Sequence, residues 1–318
     1  MENYQIIFSV ISAIILFLYG LSSFSAELKI AAGNKLEAIM KKLTTNRFVA
    51  FFVGVIFTVI IQSSTAVSSL AVSMVDSGIL SFAGSVAIML GSYVGTTATA
   101  WLVSFKLTGI GPIFIVLGTL ISLIPFRFNV FGKGIFFFGF IFFSLDLVSS
   151  SIAPLRESEF LTGLLLHTSN KLISILIGIV LTVVLQSSTV VTGLTIIFVQ
   201  QGLLQPADSI PIVLGANIGT TFTALFVSLN MGLTAKKFAV SNTLINIIGV
   251  LLFIPFLDAF TIWTLSVSPN ETMVVAIAHL GFNVVLVSIF LIFLNPFIRL
   301  IDRIFDNKNA VDKQKLSI

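Results

Sequence analysis

The chain has 318 residues, of which 57% are hydrophobic and only 9% are Asp, Glu, Lys or Arg. Soluble domains carry roughly 25% charged residues, so this composition argues against a soluble enzyme and against a nucleic-acid-binding protein, and predicts an all-α polytopic membrane protein. The excess of 17 basic over 13 acidic residues is interpreted as a cytoplasmic-side marker, and the absence of cysteine excludes disulfides and thiolate metal sites.

The first predicted element is a membrane helix at 5–25, which we interpret as retained rather than as a cleaved signal. No basic residue precedes it, and no small-residue cleavage site follows it. An amphipathic linker at 26–47 leads to two apolar pieces, 48–61 and 65–76. Each piece is shorter than the roughly 20 residues that a spanning helix needs. The pair is therefore either one helix broken within the membrane or the two arms of a re-entrant hairpin.

The polar tetrapeptide between these two pieces recurs later in the chain. Gln62-Ser63-Ser64-Thr65 returns as Gln186-Ser187-Ser188-Thr189, and Gly95-Thr96-Thr97 returns as Gly219-Thr220-Thr221, each 124 positions later. Between residues 54 and 99, 21 of 46 ungapped positions are identical in the second copy. Apolar bias gives chance matches among Leu, Ile and Val, but not polar runs and glycines in register. The sequence therefore contains an internal duplication.

Each predicted repeat holds a helix, a linker, a re-entrant hairpin and two further crossings. Cytoplasmic loops are rich in Lys and Arg, and hairpins with the N-terminus outside and the C-terminus in the cytoplasm put 14 of 17 basic residues inside. Three crossings per repeat is an odd number, so the second copy is inverted, as in many secondary transporters. The predicted parts are repeat one at 1–127 with its hairpin at 48–76, repeat two at 128–256 with its hairpin at 172–200, an additional C-terminal helix within 257–297, and a short cytoplasmic tail at 298–318.

The two tetrapeptides supply groups that suit an anion and a small cation. A helix that begins at Ser63 or Ser187 presents unpaired N–H groups and the positive end of its dipole. Two such starts that face each other form an anion site without a buried arginine. The side-chain oxygens of Gln62 and Gln186 suit a small hard cation such as Na⁺. A simpler interpretation, that the hydroxyls only allow close helix packing, does not explain two copies in register.

Later polar positions indicate further elements of a site. The glycine and threonine runs at 91–97 and 215–221 predict a second pair of helix interruptions, although glycines also mark close helix crossings. Two pairs of polar residues, Asn242 with Asn246 and His279 with Asn283, are four positions apart and share a helix face. These pairs either support the site or tie neighbouring helices together.

These motifs resemble the type II sodium/phosphate cotransporter family over about residues 45–297. The resemblance rests on the paired Gln-Ser-Ser-Thr, the run at 215–221, Ala278-His279 with Phe282-Asn283, and Asn295-Pro296-Phe297. It implies inverted repeats and sodium-coupled movement of inorganic phosphate, with Na⁺ as the coupling ion and no other cofactor. The implied phosphate contacts are Ser63, Ser64, Thr65, Ser187, Ser188, Thr189 and Asn217. The implied sodium contacts are Gln62, Gln186, Thr96, Thr97, Thr220 and Thr221. Tyr93 stands where the family motif has Asn, so copy one departs from the pattern.

We expect a phosphate transporter of the cell membrane whose partners are phosphate, sodium and lipid, with a homodimer left open. Another small oxyanion, outward transport, or an anion channel built from the same tips are the alternatives. No enzymatic activity is expected, since serine with His279 is the only nucleophile–base pair on offer and no nucleophile motif supports it.

Overall fold

A computed structural model of the chain describes residues 3–32, 46–105, 109–124, 128–154 and 167–315. Within these ranges the regular secondary structure is helical, as the composition predicts. The α-helices are α1 (Asn3–Ala32), α2 (Arg47–Ile61), α3 (Ser64–Asp76), α4 (Phe82–Ser104), α5 (Gly111–Ser122), α6 (Phe128–Ile152), α7 (Lys171–Leu185), α8 (Ser188–Gln200), α9 (Pro206–Ser228), α10 (Leu233–Phe253), α11 (Leu257–Val267), α12 (Glu271–Ile292) and α13 (Leu294–Lys315).

Six segments of the described chain are long and apolar enough to cross a membrane. They lie in α1, α4, α6, α9 and α12, and in the run 233–267 that contains α10 and α11. Large apolar side chains on these helices remain exposed, among them Phe8 at 66% and Leu251 at 60%. Such exposure suits a lipid environment rather than water. The protein is therefore an all-α, multi-pass membrane protein, which confirms the predicted fold class.

The internal duplication is visible in the helix boundaries. Helices α2, α3 and α4 begin at residues 47, 64 and 82, and α7, α8 and α9 begin 124 positions later at 171, 188 and 206. Corresponding helices have equal lengths of 15, 13 and 23 residues. The first helix of each copy starts at an asparagine cap, Asn46 or Asn170, whose side chain accepts backbone N–H groups. Equivalent sequences thus make equivalent local structure.

The glycine and threonine runs do not interrupt their helices, and this part of the sequence interpretation is wrong. Helices α4 and α9 continue without a break through 91–97 and 215–221. The threonine hydroxyls return to their own helix: Thr96 donates to the carbonyl of Ser92, 2.9 Å away, and Thr97 to that of Val94, 2.7 Å away. The hydroxyls therefore do not replace broken backbone hydrogen bonds.

The glycines serve instead as contact points between helices. A Cβ on Gly91 would collide with the backbone carbonyl of Phe51 in α2, and a Cβ on Gly54 would collide with that of Ile88 in α4. Gly178 and Gly215 make the equivalent approach between α7 and α9. Backbones can come this close only where no side chain stands between them. Each copy therefore holds its first short helix directly against its long helix.

Other boundaries also differ from the prediction. The first helix extends to Ala32, into the expected linker, whose remaining residues 33–45 lie outside the described ranges. Helix α5 has only 12 residues, about 18 Å at 1.5 Å per residue, too short for the expected crossing. It begins just after Gly109, whose φ is +78°, with Pro112 in its first turn. The predicted tail at 298–318 is helical up to Lys315, and the first part of α13 buries an apolar face that includes Phe297 and Ile301.

Polar contacts connect helix ends at the start of α10. Lys237 forms an ion pair with Asp302 of α13, with nitrogen and oxygen 2.8 Å apart. Gly232, just before α10, lies against the carboxylate of Asp76 at the end of α3. Beyond the far end of α10, Asp258 of α11 forms an ion pair with Lys171 at the start of α7. The ends of α3 and α9 and the start of α10 therefore lie together, away from the start of α7.

A second group of contacts joins the end of α4 to other elements. Ser104 and Thr272, at the start of α12, exchange hydrogen bonds of 3.0 and 3.2 Å. In the turn after α4, Gly109 donates its N–H to Asp146 of α6 over 3.0 Å. One turn further along α6, Ser149 accepts a hydrogen bond from Gln201, the residue after α8. The ends of α4 and α8 and the start of α12 therefore share one neighbourhood.

Candidate functional site

The first and second tips, residues 62–65 and 186–189, have the same unusual backbone. Gln62 has φ of 55° and Gln186 has φ of 53°, and they are the non-glycine residues with positive φ in the described chain. Each ends one short helix in the left-handed conformation, so that the next helix starts only two residues later. Non-glycine residues with this backbone are uncommon, and such strain clusters at binding sites.

A serine cap follows each glutamine. The hydroxyl oxygen of Ser63 accepts the N–H of Ala66 over 3.2 Å, and that of Ser187 accepts the N–H of Val190 over 3.3 Å. A capping oxygen still has its own proton to donate. The N–H groups of the first two residues of each helix have no acceptor within the described residues, as expected for a first helical turn. They belong to Ser64 and Thr65 in the first tip and to Ser188 and Thr189 in the second.

Both tips line one cavity of about 400 Å³. All eight tip residues contribute to its wall, and the residues that the sequence predicted for the centre of the site are therefore brought together. One face of α1 forms the opposite wall, with Ser22, Ser25 and Lys29 as its polar residues. We call this space the tip cavity. Sequence reasoning missed the contribution of α1, although Ser22, Ser25 and Lys29 form a polar stripe at helical spacing in an apolar helix.

A second cavity of about 30 Å³ adjoins the tips. Ser64, Thr65 and Ser188 line both cavities, so the two spaces share a wall. A volume of this size accommodates roughly one or two water molecules or an ion of similar size. We call it the small cavity. Its other polar lining residues are Ser68, Ser69, Tyr93, Thr96, Asn217, Thr220, Thr221, Asn242 and Asn246.

Tyr93 links α4 to α10 at the small cavity. Its hydroxyl donates to the side-chain oxygen of Asn242, 2.5 Å away, and accepts from the amide nitrogen of Asn246, 2.8 Å away. The Asn246 amide also donates to the Asn242 carbonyl over 3.0 Å. The sequence interpretation left open whether these asparagines support the site or tie neighbouring helices together; in the structure they line the small cavity and also join α10 to α4. It did not anticipate that Tyr93, the departure from the family motif, is their common partner.

Asn217, which occupies the position of Tyr93 in the second copy, contacts α12 instead. Its amide nitrogen lies 3.5 Å from the side-chain oxygen of Asn283, and its oxygen lies 3.4 Å from Nε2 of His279. His279 is 1% exposed, and its Nδ1 has no hydrogen-bond partner within the described residues. His279 and Asn283 line neither cavity and lie behind Asn217. Thr97 also lines neither cavity.

The two tips differ in how their glutamines are held. In the first tip, Thr99 donates a hydrogen bond of 2.5 Å to the side-chain oxygen of Gln62, and the Gln62 amide donates to the Val59 carbonyl over 2.6 Å. In the second tip, Gln186 is exposed and makes no hydrogen bond to Thr223, although both line the tip cavity. The Gln186 side chain is therefore free to turn toward a ligand, whereas Gln62 is fixed.

Comparison with known proteins gives matches over most of the chain. A family model described as Na⁺/Pi-cotransporter matches twice, at residues 16–150 and 145–293. YqeW of Bacillus subtilis, an uncharacterized protein, is 32% identical over 298 residues, which cover 93% of this chain and 97% of YqeW. No solved structure matches the chain.

Two named groups of relatives carry functional descriptions. YjbB of Escherichia coli K12, whose name proposes inorganic phosphate export, is 25% identical over 309 residues, 96% of this chain and 56% of YjbB. The chain therefore spans about half of the length of YjbB. The human sodium-dependent phosphate transport protein 2B is 35% identical over 108 residues, 32% of this chain and 16% of that protein.

Proposed function

The chain belongs to the Na⁺/Pi-cotransporter family, a family of transporters of phosphate rather than enzymes, and from this premise we propose that it couples the transport of inorganic phosphate to sodium. The observation that carries this proposal is the meeting of both tips at one cavity. The tips bring two helix starts, two strained glutamines and six hydroxyl groups together. This set of donors and neutral oxygens suits an anion and a small cation.

We propose that phosphate binds in the tip cavity. The unpaired N–H groups of the first turns of α3 and α8 can donate to its oxygens, and the capping hydroxyls of Ser63 and Ser187 can donate as well. Donors that converge from two separate helices suit a tetrahedral anion better than a planar one. The cavity of about 400 Å³ has room for such an anion, whereas the small cavity of about 30 Å³ does not.

Sodium suits the small cavity and the adjacent glutamines. Thr96, Thr220 and Asn217 offer neutral oxygens at the small cavity, and Gln62 and Gln186 offer theirs in the tip cavity next to it. Thr221 also lines the small cavity, and its hydroxyl, like those of Thr96 and Thr220, donates to a carbonyl of its own helix and keeps lone pairs that can bind a cation. Thr97 stays a predicted ligand that lies outside both cavities in this conformation.

The wall that the tip cavity and the small cavity share gives a physical reason for coupling between phosphate binding and sodium binding. Each helix start carries about half a positive charge, and an exposed charge near one gains only roughly 0.3–1 kcal/mol. Two such starts hold a phosphate dianion weakly within a membrane. A sodium ion near Ser64, Thr65 and Ser188 would supply the missing charge. Because linkage is reciprocal, phosphate then tightens sodium binding by the same factor by which sodium tightens phosphate binding.

Contacts at the helix ends support two inverted repeats with re-entrant hairpins. The start of α7, at Lys171, pairs with Asp258 beyond the far end of α10, while the end of α9 leads directly into the start of α10. The end of α4 meets the start of α12 through Ser104 and Thr272. Because α12 begins shortly after α11, beyond the far end of α10, the end of α4 lies away from the end of α9. The equivalent helices α4 and α9 would therefore run in opposite directions. We propose alternating access in which these units move around the tips, with the N-terminus outside the cell and the C-terminus in the cytoplasm.

Outward transport is a second candidate, because YjbB aligns with 96% of this chain and its name proposes export of inorganic phosphate. Export and uptake use the same site and differ in the gradients that drive them. Efflux from phosphate-loaded vesicles with a reversed sodium gradient therefore measures this direction in the same preparation.

The test is phosphate uptake by purified protein in proteoliposomes. A saturable uptake that requires an inward sodium gradient is expected, with competition by tetrahedral arsenate and little competition by planar nitrate. The double variant Ser64→Ala/Ser188→Ala, which removes two hydroxyls of the shared wall, serves as the matched low-activity control. Equal uptake in sodium, potassium and choline gradients would contradict sodium coupling. Flux that never saturates would indicate a channel, and preference for another oxyanion would change the substrate.

A further inference from the structure

One face of α1 is polar where the helix approaches the tips. Ser22, Ser25 and Lys29 follow one another at spacings of three and four residues and so lie on one side of the helix. All three line the tip cavity. Leu18, Leu21 and Ala26 of α1 also line the cavity and flank this stripe, whereas Glu27, the other charged residue of α1, does not line the cavity. The polar stripe therefore leads along the helix toward the two tips.

Lys29 is the charged residue among the residues that line the tip cavity. Its side chain is exposed, and no ion pair involves it within the described chain. Two other lysines, Lys171 and Lys237, are each neutralised by an aspartate. A lysine near the end of a membrane helix commonly extends to the lipid headgroups, but Lys29 lines the open tip cavity. Its charge therefore acts on what enters that space.

We propose that Lys29 attracts the anionic substrate into the tip cavity and so determines how fast that substrate reaches the tips. The proposal rests on the proposed function, since the substrate in question is phosphate. Charge in a cleft raises the local concentration and the association rate of an oppositely charged ligand. A unit charge about 8 Å from a divalent anion in water changes its local concentration by about fivefold. This effect weakens as added salt screens the charge.

A first experiment tests the attraction without any transport. The chain has no cysteine, so Ser22→Cys places a single thiol on the same face of α1, two turns from Lys29. The rates at which this thiol reacts with a negatively charged and with a positively charged methanethiosulfonate reagent are measured in three proteins. One carries Ser22→Cys alone, and the other two carry Ser22→Cys together with Lys29→Gln or with Lys29→Arg. We expect the ratio of anionic to cationic rates to fall severalfold in Lys29→Gln and to be retained in Lys29→Arg. An unchanged ratio in Lys29→Gln would overturn the proposal.

A second experiment connects the charge to phosphate transport that starts from the side of the membrane that Lys29 faces, which is the cytoplasmic side in the proposed topology. In Lys29→Gln, kcat/KM for phosphate is expected to fall about fivefold at low ionic strength, with kcat little changed and the dependence on salt reduced. Lys29→Arg should keep the wild-type value. Lys236→Gln is the matched control, because Lys236 is an exposed lysine that lines neither cavity.

The two experiments separate the possible failures. If the wild-type protein does not transport phosphate, the proposed function is contradicted. The reaction rates of the thiol still show in that case whether Lys29 attracts anions. Equal losses of kcat/KM in Lys29→Gln and Lys29→Arg would show that the side chain acts by shape rather than by charge, and would overturn the proposal.

Discussion

Gln62 and Gln186 combine an amide side chain with a backbone conformation that suits glycine better. Both have φ near 55°, where a Cβ approaches the following carbonyl, and glycine would avoid that strain. The sequence nevertheless has glutamine at both positions. The side chain is therefore the more important feature at these two residues, in keeping with an oxygen ligand at the tip.

Two substitutions of Gln186 distinguish the effect of its backbone conformation on stability from the effect of its side chain on sodium activation. We expect Gln186→Gly to be more stable than Gln186→Ala by about 1 kcal/mol, because glycine adopts the left-handed conformation without strain. Both variants should lose sodium activation strongly, since each lacks the amide oxygen. Thermal unfolding in detergent and sodium-dependent uptake measure the two effects, and Gln62→Ala should give the same loss of sodium activation. Sodium activation that survives in both Gln186 variants would move the cation site elsewhere.

A missing hydroxyl distinguishes the two copies at another position. Thr58 donates a buried hydrogen bond of 3.0 Å to Ser92, but the equivalent Thr182 is buried with no partner within the described residues because Ala216 replaces the serine. We expect Ala216→Ser to raise the free energy of unfolding by about 1 kcal/mol. The reverse change, Ser92→Ala, should lower it by a similar amount. Opposite shifts in the unfolding midpoint are the readout, and a loss in both variants would contradict the symmetry argument.

At the scale of whole helices, the short helices were predictable from the sequence, whereas the unbroken course of α4 and α9 was not. Helices α2 and α3 are visible in the sequence because polar residues at 62–65 divide an apolar stretch, and the duplication repeats that signal. Glycines at 91 and 95 fit either an interrupted helix or a close crossing. The choice depends on whether another backbone lies against them, and Phe51 of α2 does. A single sequence does not contain that information.

The glycine contacts lead to a prediction about stability. We expect Gly54→Ala and Gly178→Ala to lower the free energy of unfolding by about 1–3 kcal/mol, because the new Cβ collides with a backbone carbonyl of the neighbouring helix. Gly134→Ala in α6 is the matched control, since a Cβ there meets no atom within 4 Å. That variant should be neutral or slightly stabilised through helix propensity. Similar unfolding midpoints for all three variants would contradict the close-contact interpretation.

For the molecule as a whole, the residues that meet at the tip cavity were predictable from the duplication, and the neighbours that α1 and α10 contribute were not. The matched tetrapeptides identified all eight tip residues that line the tip cavity. Lys29 and Tyr93 were missed because their roles depend on which helices meet. Lys29 lines the tip cavity only because of the position of α1, and Tyr93 meets Asn242 only because α4 lies against α10. Local spacing does not report contacts between elements 149 residues apart.

The inverted arrangement can be tested across the membrane. Ser77 follows α3 and Gln205 follows α8, and both residues are exposed in equivalent turns of the two copies. In this cysteine-free chain, Ser77→Cys and Gln205→Cys should react with an impermeant thiol reagent from opposite sides. The inner side is expected for Ser77→Cys. Labelling of both thiols from the same side would refute the inverted repeats while leaving the family assignment intact.

The glycine contacts also have a mechanical consequence. Where α2 lies on α4, and α7 on α9, backbone touches backbone, and no side-chain rotamers are available there to absorb a displacement. Such joints are stiff. The contacts of Tyr93 with α10 and of Asn217 with α12 are side-chain hydrogen bonds, which can exchange partners as side-chain rotamers change and are therefore more compliant. We expect the structural change during a transport cycle to concentrate at these polar contacts. The pair α2 and α4 and the pair α7 and α9 should each move as a rigid body.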